Sequence, residues 1–164
     1  MELRSERYFR PAVAAAEARH RALIAALLPE AEVEHIGATA VAGALTKGDL
    51  DLMVVVEPED FASAAGALRS RYSVNQPENW TDDFASFAVA ARDGAAEVPV
   101  GVQLVAAGSE WQALFLRWRK LLTVDPAVRH RYNELKRAHA DAPADAYVDA
   151  KAAFIEAELA ARSL

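Results

Sequence analysis

The sequence predicts an α+β fold, a mixed and mainly antiparallel sheet flanked by helices and followed by a C-terminal helical segment. Three observations carry this. Leu50 to Val56 is apolar on both faces after Asp51, as expected of a central strand. Ser86 to Arg92 and Val98 to Val105 read as two antiparallel strands joined through Asp93-Gly94. From Ser109 onward the pattern is helical, so strands come first and helices last, without a regular βαβ alternation.

Taken in order, Pro11 to Leu28 reads as a helix, with Pro11 in its first turn and Pro29 just past its end. Val33 to Ile36 is a short strand running into Gly37-Ala38-Thr39-Ala40-Val41-Ala42-Gly43, a loop of small residues bounded by glycines. After the central strand, Glu57-Pro58 marks a stop, and a helix is expected over Phe61 to Arg71 with a short strand at Tyr72 to Val74. Residues 75–83, with Pro77, two Asn and two Asp, read as a loop. Ser109 and Gln112 form a capping-box pattern, and Trp111, Leu114, Phe115, Trp118, Leu121 and Leu122 recur as one apolar stripe. Asp125-Pro126 starts another helix, and a last one is expected from Asp145 to Arg162. The organisation is one domain over residues 1–164, with a sheet core at about 30–107 and C-terminal helices at about 109–162.

Composition narrows the function classes. With no cysteine, the chain has no disulfide, thiolate zinc site or Cys nucleophile. A net charge of −6 argues against an extended nucleic-acid surface, which needs clustered Lys and Arg. No apolar run approaches the roughly 20 residues of a membrane span. The opening Met1-Glu2-Leu3-Arg4 carries no signal-peptide apolar core, so a cytoplasmic protein is expected.

The most informative stretch is Lys47-Gly48-Asp49-Leu50-Asp51. Side chains alternate along a strand, so Asp49 and Asp51 share one side. Their mutual repulsion is offset by a hard divalent cation, Mg²⁺ or Mn²⁺, which would also hold substrate phosphates. Read alone, the pair is equally two solvated aspartates at a strand end. The glycine-bounded loop about a dozen residues earlier adds backbone that can approach phosphate closely.

The run His35-Ile36-Gly37-Ala38-Thr39-Ala40-Val41-Ala42-Gly43 resembles the signature of the GrpB family, a branch of the polymerase-β-like nucleotidyltransferase superfamily. The resemblance continues at Lys47 and Asp51, at Gly108 to Trp111, at Asp125-Pro126 with Tyr132, Leu135 and Lys136, and at Tyr147, Asp149, Lys151, Phe154 and Ile155. It implies a nucleotidyltransferase-like fold that binds a nucleoside triphosphate, with Asp49 and Asp51 as metal ligands and catalytic carboxylates. Gly37, Ala38 and Thr39 would form the nucleotide loop. Lys47, Gln103, Arg119 and Lys151 would contribute further contacts. The implied reaction passes a nucleoside monophosphate to an unknown hydroxyl acceptor.

Two departures are visible. Ala38 stands in place of the loop serine, with Thr39 beside it as a candidate substitute. The strand expected to carry a third carboxylate contains none, and Gln103 cannot act as a general base. Glu97, Asp82 and Asp83 are the acids that could reach in from loops. These departures set a second reading, a binding domain without catalysis, beside the transferase, with a purely structural or partner-binding domain as a third.

Other residues have ordinary roles to be weighed. Lys47 is expected either on phosphate or paired with Asp49 or Glu57, and Arg119 and Lys151 have surface ion pairs as their alternative. Lys120 and Lys136 read as surface residues, and Trp111 and Trp118 as core. Trp80, in a polar loop, is a candidate cover for a ligand. His35 reads foremost as a structural hydrogen-bonder, and the four histidines make no metal cluster.

Overall fold

The computed structural model describes residues 1–89 and 98–162. The first element is a two-residue strand, β1 (Arg4–Ser5), followed by α1 (Glu6–Leu27). This helix starts earlier than Pro11 because the Ser5 hydroxyl accepts from the Arg7 N–H as its cap, which leaves Pro11 inside the helix. Then come β2 (Glu32–Ile36), a 3₁₀ turn at Ala38–Ala40, β3 (Leu45–Thr46), β4 (Leu50–Val56), α2 (Phe61–Arg69), β5 (Ser73–Asn75), β6 (Phe84–Val89) and β7 (Val100–Ala106). Three helices close the chain: α3 (Glu110–Val124), α4 (Pro126–Ala138) and α5 (Ala144–Ala160). The expected Asp93-Gly94 connection and Glu97 lie outside the described residues.

The main sheet has five strands in the order β2-β4-β7-β6-β5. Among the described strands of this sheet, only β4 and β7 run parallel, with Asp51 opposite Gly101 and Met53 opposite Gln103. The other pairings are antiparallel, so the mixed, mainly antiparallel sheet is borne out. β4 has a strand on each side, as its two-faced apolar sequence requires.

The pleat sorts β4 into two cores. Leu50, Leu52, Val54 and Val56 pack with Leu104 and Phe87 against Val13, Ala16 and Ile24 of α1 and Phe61, Ala64 and Leu68 of α2. Met53 and Val55 face the other way, with Ile36, Phe84 and Val105, onto Trp111, Phe115 and Leu116 of α3. Trp111 stacks on Phe84 at 4.3 Å between ring centroids, which is core packing. A third cluster joins the C-terminal helices to the small-residue loop, through Val41, Ala44, Leu122, Val128 and Tyr132.

The caps read from the sequence are present. The Ser109 hydroxyl accepts from the Gln112 N–H, and Asp125 accepts from the N–H groups of Ala127 and Val128. Gln112 reaches back one residue further than a capping box requires, accepting from the Gly108 N–H. Among the described residues, no helix is long and apolar enough to cross a membrane.

Candidate functional site

A cavity of about 280 Å³ opens between the α3-facing side of the sheet and the C-terminal helices. Asp49 and Asp51 line it from the head of β4, and Gly37 and Ala38 from the loop. Gln103 lines it from β7, Trp118 and Arg119 from α3, Tyr132 and Lys136 from α4, and Tyr147 and Lys151 from α5. Eight of the nine residues proposed from sequence therefore meet at one cavity; the ninth, Thr39, stands behind it.

Asp51 sits between two glycines. A Cβ built on Gly37 would lie 2.4 Å from one Asp51 carboxylate oxygen, and one on Gly101 would lie 2.8 Å from the other. Gly37 also has φ +75°, a backbone region that other residues adopt at a cost. Any side chain at either position would occupy the space of the carboxylate. Asp51 carries no hydrogen bond from another described residue. Burial, then the charge of Asp49, pushes its pKa up to about 6, against the pull of Lys151 and Lys47.

Asp49 is tied at both ends. Its carboxylate pairs with the Lys47 ammonium at 3.0 Å, one of the two outcomes expected for that lysine. Its backbone carbonyl accepts from the Thr39 hydroxyl at 2.9 Å. Burial pulls the Lys47 pKa down, but the hydrogen bond and charge of Asp49 outweigh it and the net shift is upward.

The loop is held from three sides. His35 Nε2 lies 2.9 Å from the Thr39 hydroxyl, and its Nδ1 lies 3.1 Å from a Glu17 carboxylate oxygen. The signature histidine is thus the structural hydrogen-bonder the sequence suggested. At the far end the Glu6 carboxylate accepts from the Gly43 N–H, and the Asn133 amide donates to the Gly43 carbonyl. Within the loop, the N–H groups of Ala40 and Val41 are spent on the 3₁₀ turn.

Arg119 lines the cavity but is committed elsewhere: its guanidinium donates to Glu34 at 2.7 Å and to the His35 carbonyl at 2.8 Å. Lys136 corrects the sequence reading outright. It is 2% exposed rather than a surface residue. Its ammonium donates to the Leu45 carbonyl and lies 4.5 Å from the centre of the Tyr132 ring. Burial, then the positive charge of Lys151, pulls its pKa down to about 7. The signal that could have found it is helical spacing: Lys136 lies four residues after Tyr132, whose ring belongs to the buried stripe of α4.

Trp80 does not reach the cavity. Its indole N–H donates to the Asn75 carbonyl and its ring packs on Phe87, at the other face of the sheet. Asp83 is equally distant: its carbonyl accepts from the Ala106 N–H, at the far end of β7 from Gly101. No third acid comes to Asp51 from β7, where Gly101 stands directly opposite it.

The fit to a divalent cation follows from the donors. Asp49 and Asp51 offer hard oxygens on one side of β4, and the Asp51 carboxylate has no competing hydrogen bond. These suit one ion whose remaining positions are filled by ligand oxygens or water. Among the described residues, no group of three or more acids and histidines comes together to hold a metal by protein alone.

Comparison with known proteins bears on the family and the fold. A family model described as GrpB protein matches residues 8–161. A UPF0157 protein of Vibrio cholerae is 35% identical over 133 residues, covering 81% of this chain and 68% of that protein. The crystal structure of the conserved protein GrpB from Enterococcus faecalis superposes with a TM-score of 0.63 at 22% identity, covering 96% of this chain and 99% of that one. The Cid1 poly(U) polymerase superposes with a TM-score of 0.51 at 16% identity, over 80% of this chain but 39% of that one. The α+β architecture is therefore nucleotidyltransferase-like, and at these identities the structural likeness speaks for the fold alone.

Proposed function

This chain belongs to the GrpB family, and from that footing we propose that its cavity binds a nucleoside triphosphate together with one divalent cation, Mg²⁺ or Mn²⁺. The observation that carries the reading is Asp51. A carboxylate recessed between two glycines, beside a second carboxylate and without a hydrogen bond from another described residue, is costly to keep unless a ligand completes it. Asp49 and Asp51 would hold the cation. Gly37 and Ala38 leave room for phosphate at the loop, and Lys47 stands at its edge. Trp118, Phe115 and Leu114 supply an apolar wall for the rest of the nucleotide.

A bound divalent cation would supply charge compensation for phosphate oxygens. The chain's own residues supply positioning: the Asp pair fixes one end of the ligand and the α3 wall the other.

Transfer is a second reading, favoured by the intact Asp49-x-Asp51 pair. It would place an acceptor hydroxyl in line with the α-phosphorus, with pyrophosphate leaving. Gly101 and Gln103 weigh against it, because the strand facing Asp51 offers no group that takes a proton from that hydroxyl.

Calorimetric titration with nucleoside triphosphates, with and without Mg²⁺, tests the binding reading. Mg²⁺-dependent binding that is lost in Asp51→Asn supports it, and absence of nucleotide binding in the wild type overturns it. Release of pyrophosphate in the same mixtures separates transfer from binding.

A further inference from the structure

The roof of the cavity repeats one motif on two helices. On α4, Tyr132 is followed four residues later by Lys136; on α5, Tyr147 is followed four residues later by Lys151. Residues four apart share a helix face, and all four line the cavity. Each ammonium lies near its own tyrosine ring, at 4.5 Å for Lys136 and 5.1 Å for Lys151. The rings therefore hold the amines in place by cation–π attraction.

These amines are unusual among lysines because they are enclosed. Lys136 is almost fully buried, and neither it nor Lys151 forms an ion pair with a carboxylate among the described residues. Lys136 spends one donor on the Leu45 carbonyl and has others left. Burial pulls both pKa values down; the positive charge of Lys151 adds to the effect at Lys136, whereas at Lys151 the Asp51 carboxylate works against burial without cancelling it. At Lys136 the neighbouring charge is that of Lys151, with no carboxylate acting against it, so an anion seated between the two amines offsets what the sheet-side carboxylates leave uncompensated there.

We infer that the twin Tyr-x₃-Lys pairs form a direct anion clamp, in which Lys136 and Lys151 hold the oxygens of a phosphoryl group without an intervening metal. This deepens the nucleotide reading and rests on it for the identity of the anion as phosphate. It assigns one phosphoryl group of the ligand's phosphate chain to the α4–α5 side of the cavity, while the part of the chain that shares the cation stays at Asp49, Asp51 and the loop. The chemistry is shared by the phosphate chain of a nucleotide and by free pyrophosphate, so both serve as probes.

The test is titration with inorganic pyrophosphate in EDTA, using the full chain and the variants Lys136→Gln and Lys151→Met. Glutamine keeps a donor for the Leu45 carbonyl while removing charge, which protects the fold; melting temperature checks this. The expected result is saturable pyrophosphate binding without metal, weakened about tenfold or more in each variant. Pyrophosphate binding that is absent in EDTA, or equal in wild type and variants, overturns the clamp. Nucleotide binding that needs Mg²⁺ and Asp51 but ignores both lysines overturns the clamp while leaving the nucleotide reading in place. Pyrophosphate bound by the lysines, with no nucleoside triphosphate bound at any Mg²⁺ concentration, does the reverse: it supports the clamp and assigns it to free polyphosphate.

Discussion

The Thr39 hydroxyl donates to the backbone carbonyl of Asp49 at 2.9 Å, tying the small-residue loop to the head of the carboxylate strand. His35 stands behind Thr39 and Glu17 behind His35, so the strut is anchored in α1. Groups that orient metal ligands at one remove are worth about 10–100-fold in metal affinity. Thr39→Val keeps the shape and removes the strut; it is expected to weaken Mn²⁺ binding about tenfold by electron paramagnetic resonance titration. Thr39→Ser restores the hydroxyl and should stay within about twofold of the wild type, which loss of packing alone would not explain.

Asp51→Asn separates binding from stability. The folded pKa of Asp51 is about 6, raised from 3.8. Below about pH 4 the carboxyl is neutral in both states and carries no penalty. As pH rises from 4 to 6 the unfolded chain releases the proton first, so folding stability falls across that window. The variant lacks this decline. It is expected to be more stable than the wild type by up to about 3 kcal/mol at pH 7 in urea unfolding, while losing divalent-dependent nucleotide binding. An equal decline in both proteins would show that Asp51 does not titrate as described.

Gly101→Ala probes the cradle from its other side. The new Cβ would stand 2.8 Å from an Asp51 oxygen, so the carboxylate must turn away. The expected cost is about 1–3 kcal/mol, as for an overpacked interior, with at least tenfold weaker Mn²⁺ binding. Gly66→Ala is the control: it lies in α2 with nothing near its Cβ, and is expected to gain up to about 1 kcal/mol. Thermal melts and Mn²⁺ titrations of both variants check the contrast.

Much of this was legible in the sequence because local rules carried it. The two-faced apolar run at Leu50–Val56 announced a central strand, and Asp125-Pro126 announced a helix start to the residue. Asp49 and Asp51 followed from the period of a strand. The rest needed tertiary contacts. Nothing local tells that Gly101 lies opposite Asp51, because β4 and β7 are joined only through the sheet. Lys136 looked exposed because a lysine on a polar helix usually is; its burial comes from β3 and α5 closing over it. Thr39 was read as a phosphate contact by its place in the loop, whereas its hydroxyl turns to the Asp49 carbonyl, a partner ten residues away.

Lys136 gives the last prediction, with the opposite sign to Asp51 and in a separate window. Its folded pKa is about 7, against 10.5 unfolded. Below pH 7 both states are charged and the folded state bears the full cost of a buried ammonium. Between pH 7 and 10.5 the folded chain gives up the proton that the unfolded chain keeps, so stability rises with pH. Lys136→Met removes the ammonium and the hydrogen bond to Leu45, the latter worth about 1 kcal/mol. The variant is therefore expected to exceed the wild type by about 1–3 kcal/mol near pH 6.5, with the gap closing by pH 9.5. Urea unfolding at those two pH values measures it. A gap that stays constant with pH would mean that Lys136 keeps an ordinary ammonium in the fold, so that hydrogen bonding and packing alone set its contribution.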